Sequence, residues 1–376
     1  MRSRPRVGIV TSQASRLNGG VFEAVVTHTE MVRSAGFEPI VFALADEHSA
    51  KDRPRFGDTE VVTSPVVGPG MVGFAPAMLP AMLRADLDLV HLHGIWMYPS
   101  RAVARWAEMT GRPAIISPHG MLDPWILSRG RLKKAVARQL YERGSWRRAA
   151  CFHALTEAEA ADIRGVTGRS ETIVIANAVA ATSGGEAARP PVIAYLGRIH
   201  PKKNLDGLIR GWRQAADILR PIGATLRIAG WGEDEHVAAL KAQVAEQPED
   251  GIAFVGSVFG NEKATLLTGA RFSTLPSHSE GLPMVILEAW AAGTPTLMSE
   301  HCHLPEGIAA GCALDCGTDD TTIAETLRRA FALPHAAWHG MSVAARALAR
   351  DRFSPHAVAR RWHDTYDALL AGRPPA

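Results

Sequence analysis

Short apolar runs rich in β-branched residues alternate with longer helical patterns along this chain, and the alternation stops once and starts again. The runs in the first half are RVGIV (6–10), PIVFAL (39–44), DLVHLH (88–93), AIIS (114–117), CFHAL (151–155) and TIVI (172–175). Between the first two, Val21, Val25 and Val32 fall on one helical face. Strands that are apolar throughout, rather than at alternate residues, must be buried on both faces, which predicts parallel sheets covered by helices. Residues 176–191, ANAVAATSGGEAARPP, interrupt the pattern with Gly184, Gly185, Pro190 and Pro191 and predict a linker. The pattern resumes in VIAYLG, TLRIAG, IAFVG, FSTL and PTLM. A chain of 376 residues suits two such α/β domains. The expected division is 1–178 and 189–355, with a last helix over 356–372 that could pack on either one and the ligand in a cleft between the two.

Several other classes are excluded. Residues 66–83 carry no charge over the length of a membrane span, but Pro69, Pro76 and Pro80 would break a helix there, so a loop and a short helix are expected. The start MRSRPRVGIVTSQ runs from basic residues straight into a strand pattern, which predicts a cytoplasmic location. Cys151, Cys302, Cys312 and Cys316 form no CxxC pair and are expected to be reduced thiols. The formal charge of +3 is unevenly placed. Residues 126–150 carry eight basic side chains against the single acid Glu142, leaving the rest of the chain net negative. One basic segment suits an anionic surface, such as a membrane, better than nucleic acid, though a solvated basic helix fits as well.

Candidate chemistry concentrates in SHSEGLPMVILEAWAAG (277–293). Glu280 follows the strand pattern FSTL, so it lies at the carboxyl end of a parallel strand, where open α/β sheets bind ligands. Pro283 suits the first position of a helix, whose amino terminus would then point at the ligand. Glu288 falls one to two turns into that helix; alone it would be a solvated glutamate. In YLGRIHPKKNLDGLI (195–209), Arg198, Lys202 and Lys203 follow the strand that ends at Gly197, a placement suited to a diphosphate. Gly19 and Gly20 lie between the first strand and its helix, where a backbone can approach a phosphate, although neither GxGxxG nor GxxxxGK[ST] occurs. His119 follows AIIS; a single histidine there packs more often than it catalyses. His91 and His93 share a strand face without further ligands in view, and packing is expected. The DxD of Asp86 and Asp88 precedes its strand, at the end of the sheet away from ligands.

Together these residues resemble the retaining glycosyltransferases of family 4, of the bacterial surface-polysaccharide type, with the GT-B fold of two Rossmann-like domains. SEGLPMVILEA looks like the family's E-x7-E signature through Glu280 and Glu288, and GRIHPKKNLD its G-R-[IL]-x3-K stretch through Arg198 and Lys203. IAGWGEDE and FVGSV, with Val258 at the end of the latter, are similar to segments that border the nucleotide, GG to the phosphate-side loop, and SPHG to the stretch whose histidine contacts the donor sugar. Pro283 and Asn204 depart from the family's usual glycines. The resemblance implies a nucleotide-diphosphate sugar donor and a glycan or lipid-linked glycan acceptor. It implies a diphosphate neutralised by Arg198, Lys203 and backbone N–H groups, so that no metal or other cofactor is needed. Glu288 would bind ribose, Glu280 would lie near the sugar ring and His119 near its hydroxyls, with Gly197, Gly281 and Leu282 beside the donor. Two other reactions share these residues: glycoside hydrolysis by Glu280 and Glu288, and epimerisation of a sugar nucleotide.

Overall fold

The computed structural model describes residues 4–128, 130–182 and 189–375; Gly184 and Gly185 of the expected linker and Arg129 of the basic segment lie outside them. The chain divides into two units, Met1–Ala178 with Pro355–Ala376, and Val179–Ser354.

The first unit is built on seven strands, β1 (Arg6–Gln13), β2 (Glu38–Leu44), β3 (Glu60–Ser64), β4 (Leu89–His93), β5 (Ala114–Ser117), β6 (Cys151–Ala154) and β7 (Thr172–Val174). They pair in the order β3-β2-β1-β4-β5-β6-β7, all parallel. Successive residues of β1 serve opposite cores: Val7 and Ile9 pack with Val25 and Val32 of the helix Gly20–Ser34, whereas Val10 packs with Met78, Met82 and Trp106. Apolar side chains on both faces are why these strands read as unbroken apolar runs. The terminal helix Pro355–Leu370 belongs to this unit and lays Val358, Trp362, Tyr366 and Leu369 into the core beside Val25. Residues 66–83 form a loop and the short helix Met78–Arg84, and among the described residues no helix is long and apolar enough to cross a membrane.

The second unit carries β8 (Val192–Leu196), β9 (Thr225–Ala229), β10 (Ile252–Gly256), β11 (Phe272–Leu275), β12 (Thr296–Met298) and β13 (Ala313–Asp315) in the parallel order β10-β9-β8-β11-β12-β13. Trp212, Trp290, Trp338, Tyr195 and Phe272 are fully buried around it. Arg189 is buried as the chain enters this unit, and its guanidinium donates to the carbonyls of Ala270 and Ala292 at two helix ends, at 2.9 and 2.8 Å. Cations are favoured at such carboxyl-terminal ends.

Two strands, β3 and β13, are missing from the expected set, and each is the edge of its sheet. An edge strand need not be apolar on both faces: β3 reads EVVTS with four of its five residues exposed or partly exposed, and β13 is only Ala-Leu-Asp. Both sheets reverse strand order once, between β1 and β4 and between β8 and β11. A crevice opens beyond the carboxyl ends of the strands at such a point. Trp362 is 2% exposed and touches the rings of His28, His91, His153 and Tyr366. Trp362→Ala is expected to destabilise the first unit by about 3–5 kcal/mol, measured by denaturant unfolding followed through near-ultraviolet circular dichroism.

Candidate functional site

In the second unit the loops after β8 and β11 flank the strand-order reversal, and they carry most of the expected site. After β8 the chain passes Gly197 and Arg198, makes one turn of 3₁₀ helix at Pro201–Lys203, and enters the helix Leu205–Gln214 through Asn204. Asn204 adopts the left-handed conformation, φ 58° and ψ 39°, which asparagine tolerates better than most residues. Its side-chain amide donates to the carbonyls of Pro276, at 3.1 Å, and Thr318, at 2.6 Å. A glycine could take the same backbone shape but could not tie the three loops together.

That tie sets Lys203 against the loop after β11. Lys203 Nζ lies 2.5 Å from Glu280 Oε1, and the Ser277 hydroxyl donates to the same oxygen at 2.6 Å. The Glu280 side chain is 8% exposed and that of Lys203 22%, so the pair is largely withdrawn from water. The His278 amide donates to the Lys202 carbonyl at 2.8 Å and the Glu280 amide to that of His301 at 3.1 Å, closing the loops after β8, β11 and β12 on one another. Tyr195, buried below, donates its hydroxyl to the Arg198 carbonyl at 3.0 Å; burial and then the nearby Glu280 push its phenol pKa up.

Arg198 stands at the rim. Its guanidinium lies over the exposed Trp231 ring, 5.4 Å from the centroid, and 4.0 Å from Glu233. Gly230 and Gly232 on either side of Trp231 allow this approach. A Cβ on Gly230 would meet the Gly197 carbonyl oxygen at 1.9 Å, and one on Gly232 the Ile199 carbonyl oxygen at 2.2 Å. Gly281 is exposed, Leu282 half-buried and Pro283 buried. Pro283 caps the helix Met284–Ala291 instead of beginning it. Glu288 of that helix does not join the Lys203 pair; its Oε1 lies 2.6 Å from Lys263 Nζ, on the helix Gly260–Gly269. Val258, after β10, packs its side chain against Leu196, Ala229 and Ala289.

In the first unit Gly19, at φ 53°, caps the helix that Gly20 begins, and both are exposed at the carboxyl edge beyond β1. Asn18 braces that loop by donating to the Thr11 hydroxyl and the Gln13 carbonyl, each at 2.9 Å. His119 occupies a left-handed position, φ 54°, in the loop after β5, with its Nε2 2.9 Å from His93 Nδ1 and the two rings stacked. The loop is held by buried Glu159, which accepts from the amides of Gly120 at 2.6 Å and Leu155 at 2.8 Å. The DxD is structural: Asp88 accepts from the Arg6 amide at 2.8 Å, and Asp86 pairs with Arg112.

Beneath His119 a chain of hydrogen bonds joins three more histidines. His153 Nε2 faces the Ile175 carbonyl at 2.8 Å and must donate, so with neutral rings its Nδ1 accepts from the Ser117 hydroxyl at 2.6 Å. That hydroxyl then accepts from His91 Nε2, at 2.6 Å, and His91 Nδ1 accepts from Tyr366 at 2.9 Å. The Tyr366 oxygen in turn accepts from His28 Nε2 at 2.8 Å. Nitrogens of His28, His91 and His93 approach within 4.8 Å of one another, but an ion held by all three would have to break the bonds that already occupy both nitrogens of His91.

Comparison with known proteins fits this geometry. Residues 19–178 match the family model described as glycosyl transferase 4-like domain, and residues 190–332 that described as glycosyl transferases group 1. The chain is a glycosyltransferase of the GT-B fold. It is 28% identical to the glycogen synthase of Mycobacterium tuberculosis over 339 residues, covering 81% of this chain and 78% of that one. It is 29% identical to the D-inositol 3-phosphate glycosyltransferase of Mycobacterium avium over 182 residues, 48% of this chain and 41% of that one. Among solved structures it is similar to Anabaena HepE in complex with UDP and glucose, with a TM-score of 0.73 at 17% identity over 97% of this chain and 100% of the other. It is also similar to the lipopolysaccharide outer core galactosyltransferase WaaB, with a TM-score of 0.69 at 17% identity over 98% and 99%.

The transferase thus gathers Gly197, Arg198, Lys203, Glu280, Gly281, Leu282 and Pro283 at one edge of the second sheet, while Glu288 pairs separately. Sequence reasoning did not single out Lys263, Trp231 or Glu159. The T-x-x-E of Thr156 and Glu159 was a legible helix-start signal; nothing local marks Lys263 as the partner of a residue 25 positions away.

Burial lowers the pKa of His153 to about 4, and burial and then the nearby histidines lower that of His119 to about 3 and those of His28, His91 and His93 well below 6.5. The unfolded chain therefore takes up protons from pH 6.5 downward that the folded chain refuses, so stability is full above 6.5 and falls as pH drops toward 4. Glu142, raised by burial to about 7, and the likewise raised Glu159 act in the opposite sense. A net uptake of roughly three protons on unfolding is expected near pH 5.5, each worth about 1.4 kcal/mol per pH unit. Unfolding free energies measured between pH 7.5 and 5 should show that slope, and His28→Leu should reduce it by up to one proton. A flat profile would contradict the neutral chain.

Proposed function

We propose that the chain is a retaining hexosyltransferase that moves a sugar from a UDP- or GDP-sugar to a glycan or lipid-linked glycan in surface-polysaccharide assembly, with no metal ion in the reaction. The observation that carries this reading is the Lys203 and Glu280 pair beside Arg198 at the strand-order reversal of the second unit. The diphosphate needs positive charge that grows in effect as the sugar departs, and fixed cations at a desolvated edge supply it without reorganisation. Glu280 holds Lys203 in place, and Trp231 holds Arg198. Glu288 accepts from the two ribose hydroxyls, with Lys263 steering its carboxylate. In the first unit, His119 is the proposed contact for a sugar hydroxyl and the backbone of Gly19 and Gly20 for a phosphate.

In the step itself the acceptor hydroxyl attacks the anomeric carbon on the face from which the diphosphate leaves. The bond to the phosphate oxygen breaks with its electron pair staying on that oxygen, which takes the acceptor's proton. Arg198 and Lys203 stabilise the oxygen until the proton arrives. The names of the similar proteins support the donor and acceptor classes: UDP for HepE, and glycan acceptors for glycogen synthase and WaaB. Hydrolysis by Glu280 and Glu288 is disfavoured, because each carboxylate is paired with a lysine, unlike the apolar pocket that keeps a general acid protonated. The basic segment 126–150 brings the enzyme to an anionic membrane carrying the lipid-linked acceptor.

The reading is tested by screening UDP- and GDP-sugars for an increase in melting temperature, then assaying transfer in EDTA and determining the product anomer by NMR. No stabilising nucleotide sugar, or an inverted product, would overturn it. Arg198→Ala and Lys203→Ala should each lower kcat by roughly a hundred- to a thousandfold. They should differ in stability: Arg198 is half-exposed, whereas removing Lys203 strands a nearly buried carboxylate. Lys203→Ala should therefore also lower Tm, and Glu280→Gln in the same chain should recover part of that loss. Glu288→Ala should weaken UDP or GDP binding by about ten- to a hundredfold, the loss of a charged acceptor worth roughly 1.5–3 kcal/mol, as read by calorimetric titration.

A further inference from the structure

The first unit holds a polar cavity that the transfer reaction does not use. It encloses about 660 Å³ and is walled by the helix Tyr98–Thr110, the stretch from Arg138 to Arg148, and the end of the helix Glu157–Thr167. The first wall contributes Arg101 and Arg105, the second Arg138, Arg143, Arg147 and Arg148, and Arg169 closes the third; Glu108 is the single carboxylate of the lining. Three of these arginines lie outside the basic segment that sequence picks out, so the fold has collected them.

The guanidiniums are held in place. Arg169 donates to the carbonyls of Trp146 and Ala149, at 3.0 and 3.1 Å, and Arg138 to that of Val166 at 3.0 Å while lying over the Trp146 ring. These two cap helix ends and would do so in any solvated face. Arg169 also pairs with Glu171 at 2.8 Å; of the other five, Arg105 and Arg148 pair with Glu108, Arg143 donates to Gln139 at 2.9 Å and Arg147 to the Arg143 carbonyl at 3.3 Å, and Arg101 has no ion-pair partner among the described residues. Arg138 Nε is buried without a hydrogen-bond partner among them. Glu142, the acid that sequence sets against this charge, turns inward instead: it is fully buried and accepts from the Trp96 amide at 2.6 Å. Like charges crowded around one cavity repel, and planar forks with free N–H groups match the oxygens of a phosphate. Leu140, on the same wall, is 69% exposed.

We infer that this arginine-lined cavity binds a phosphomonoester or diphosphate group, as a site separate from the donor diphosphate. Leu140 at its rim suits a phosphate carried on a lipid; a free phosphate presents the same chemistry to the arginines.

The test uses the full chain carrying Arg198→Ala and Lys203→Ala, so that binding of pyrophosphate by the donor site is not counted and the two readings fail independently. Inorganic pyrophosphate is titrated by calorimetry into this chain, into the same chain with R101Q, R143Q and R147Q, and into a control with R4Q, K51Q and R84Q, which removes equal charge from exposed positions outside the cavity. Binding at least tenfold weaker in the cavity variant, and unchanged in the control, is the expected result. The cavity variant should melt no lower than its parent, because it relieves repulsion. Equal affinity in all three chains, or no binding to the parent, overturns the inference. Flotation with phosphatidylcholine vesicles containing phosphatidic acid then identifies the source: binding lost in the cavity variant and weakened by Leu140→Ser assigns a lipid phosphate. Pyrophosphate binding without vesicle binding assigns a free one.

Discussion

A parallel strand can be followed by its neighbour only after the chain has crossed back over the sheet, so every loop that leaves a carboxyl end gathers on the same edge. Both units of this transferase obey that constraint, with every strand pair among the described residues parallel. The consequence is clearest in the second unit. Lys203 and Glu280 are 77 positions apart in sequence, yet they meet because β8 and β11 are neighbours and both loops exit at the reversal of strand order. Asn204 and the amides of His278 and Glu280 then hold those loops against each other. The charge pair is the product of topology first and of local hydrogen bonding second.

On the proposed function, the pair would also keep an anion site ready. A lysine alone at a dry edge would be costly to desolvate, and beside a carboxylate its charge is balanced until a diphosphate takes over part of that balance. Arg198 is treated differently. It stays half in water, resting on Trp231, so it has little desolvation to recover and can move to a ligand. In the reaction proposed above, one cation fixed and one adaptable would divide the work of holding the ground state and following the leaving group.

How much of this was legible in the sequence depended on how local each signal is. Buried central strands were legible because burial on both faces demands unbroken apolar runs; β3 and β13 were not, since edges escape that demand. The glycines, Arg198, Lys203 and Glu280 could be placed by their distance from a strand end. Glu288 could be placed on its helix, but its pairing with Lys263 depends on how two helices pack, which no short spacing encodes. His91 and His93 were read as a packing pair and His119 as a contact of the donor sugar, while His28 and His153 were not singled out. Their linkage through Ser117 and Tyr366 needed β4, β5, β6 and the terminal helix to be assembled together.

The first unit handles ionisable groups in two opposite ways, and the contrast follows from where they lie. At the carboxyl edge, four histidines and a tyrosine are buried beside the partly buried His119, with Trp362 against the rings of His28, His91, His153 and Tyr366, and hydrogen bonds to neutral groups join His28, His91 and His153. Protonating any of them would place a charge beside others that cannot move away, so the cluster excludes charge from the core below His119. On the flank formed by the helix Tyr98–Thr110 and residues 138–148, arginines that cannot give up their protons are crowded together and only partly balanced. Groups that can become neutral are used where the interior must stay neutral, and groups that cannot are placed at the surface, where an anion from outside can reach them.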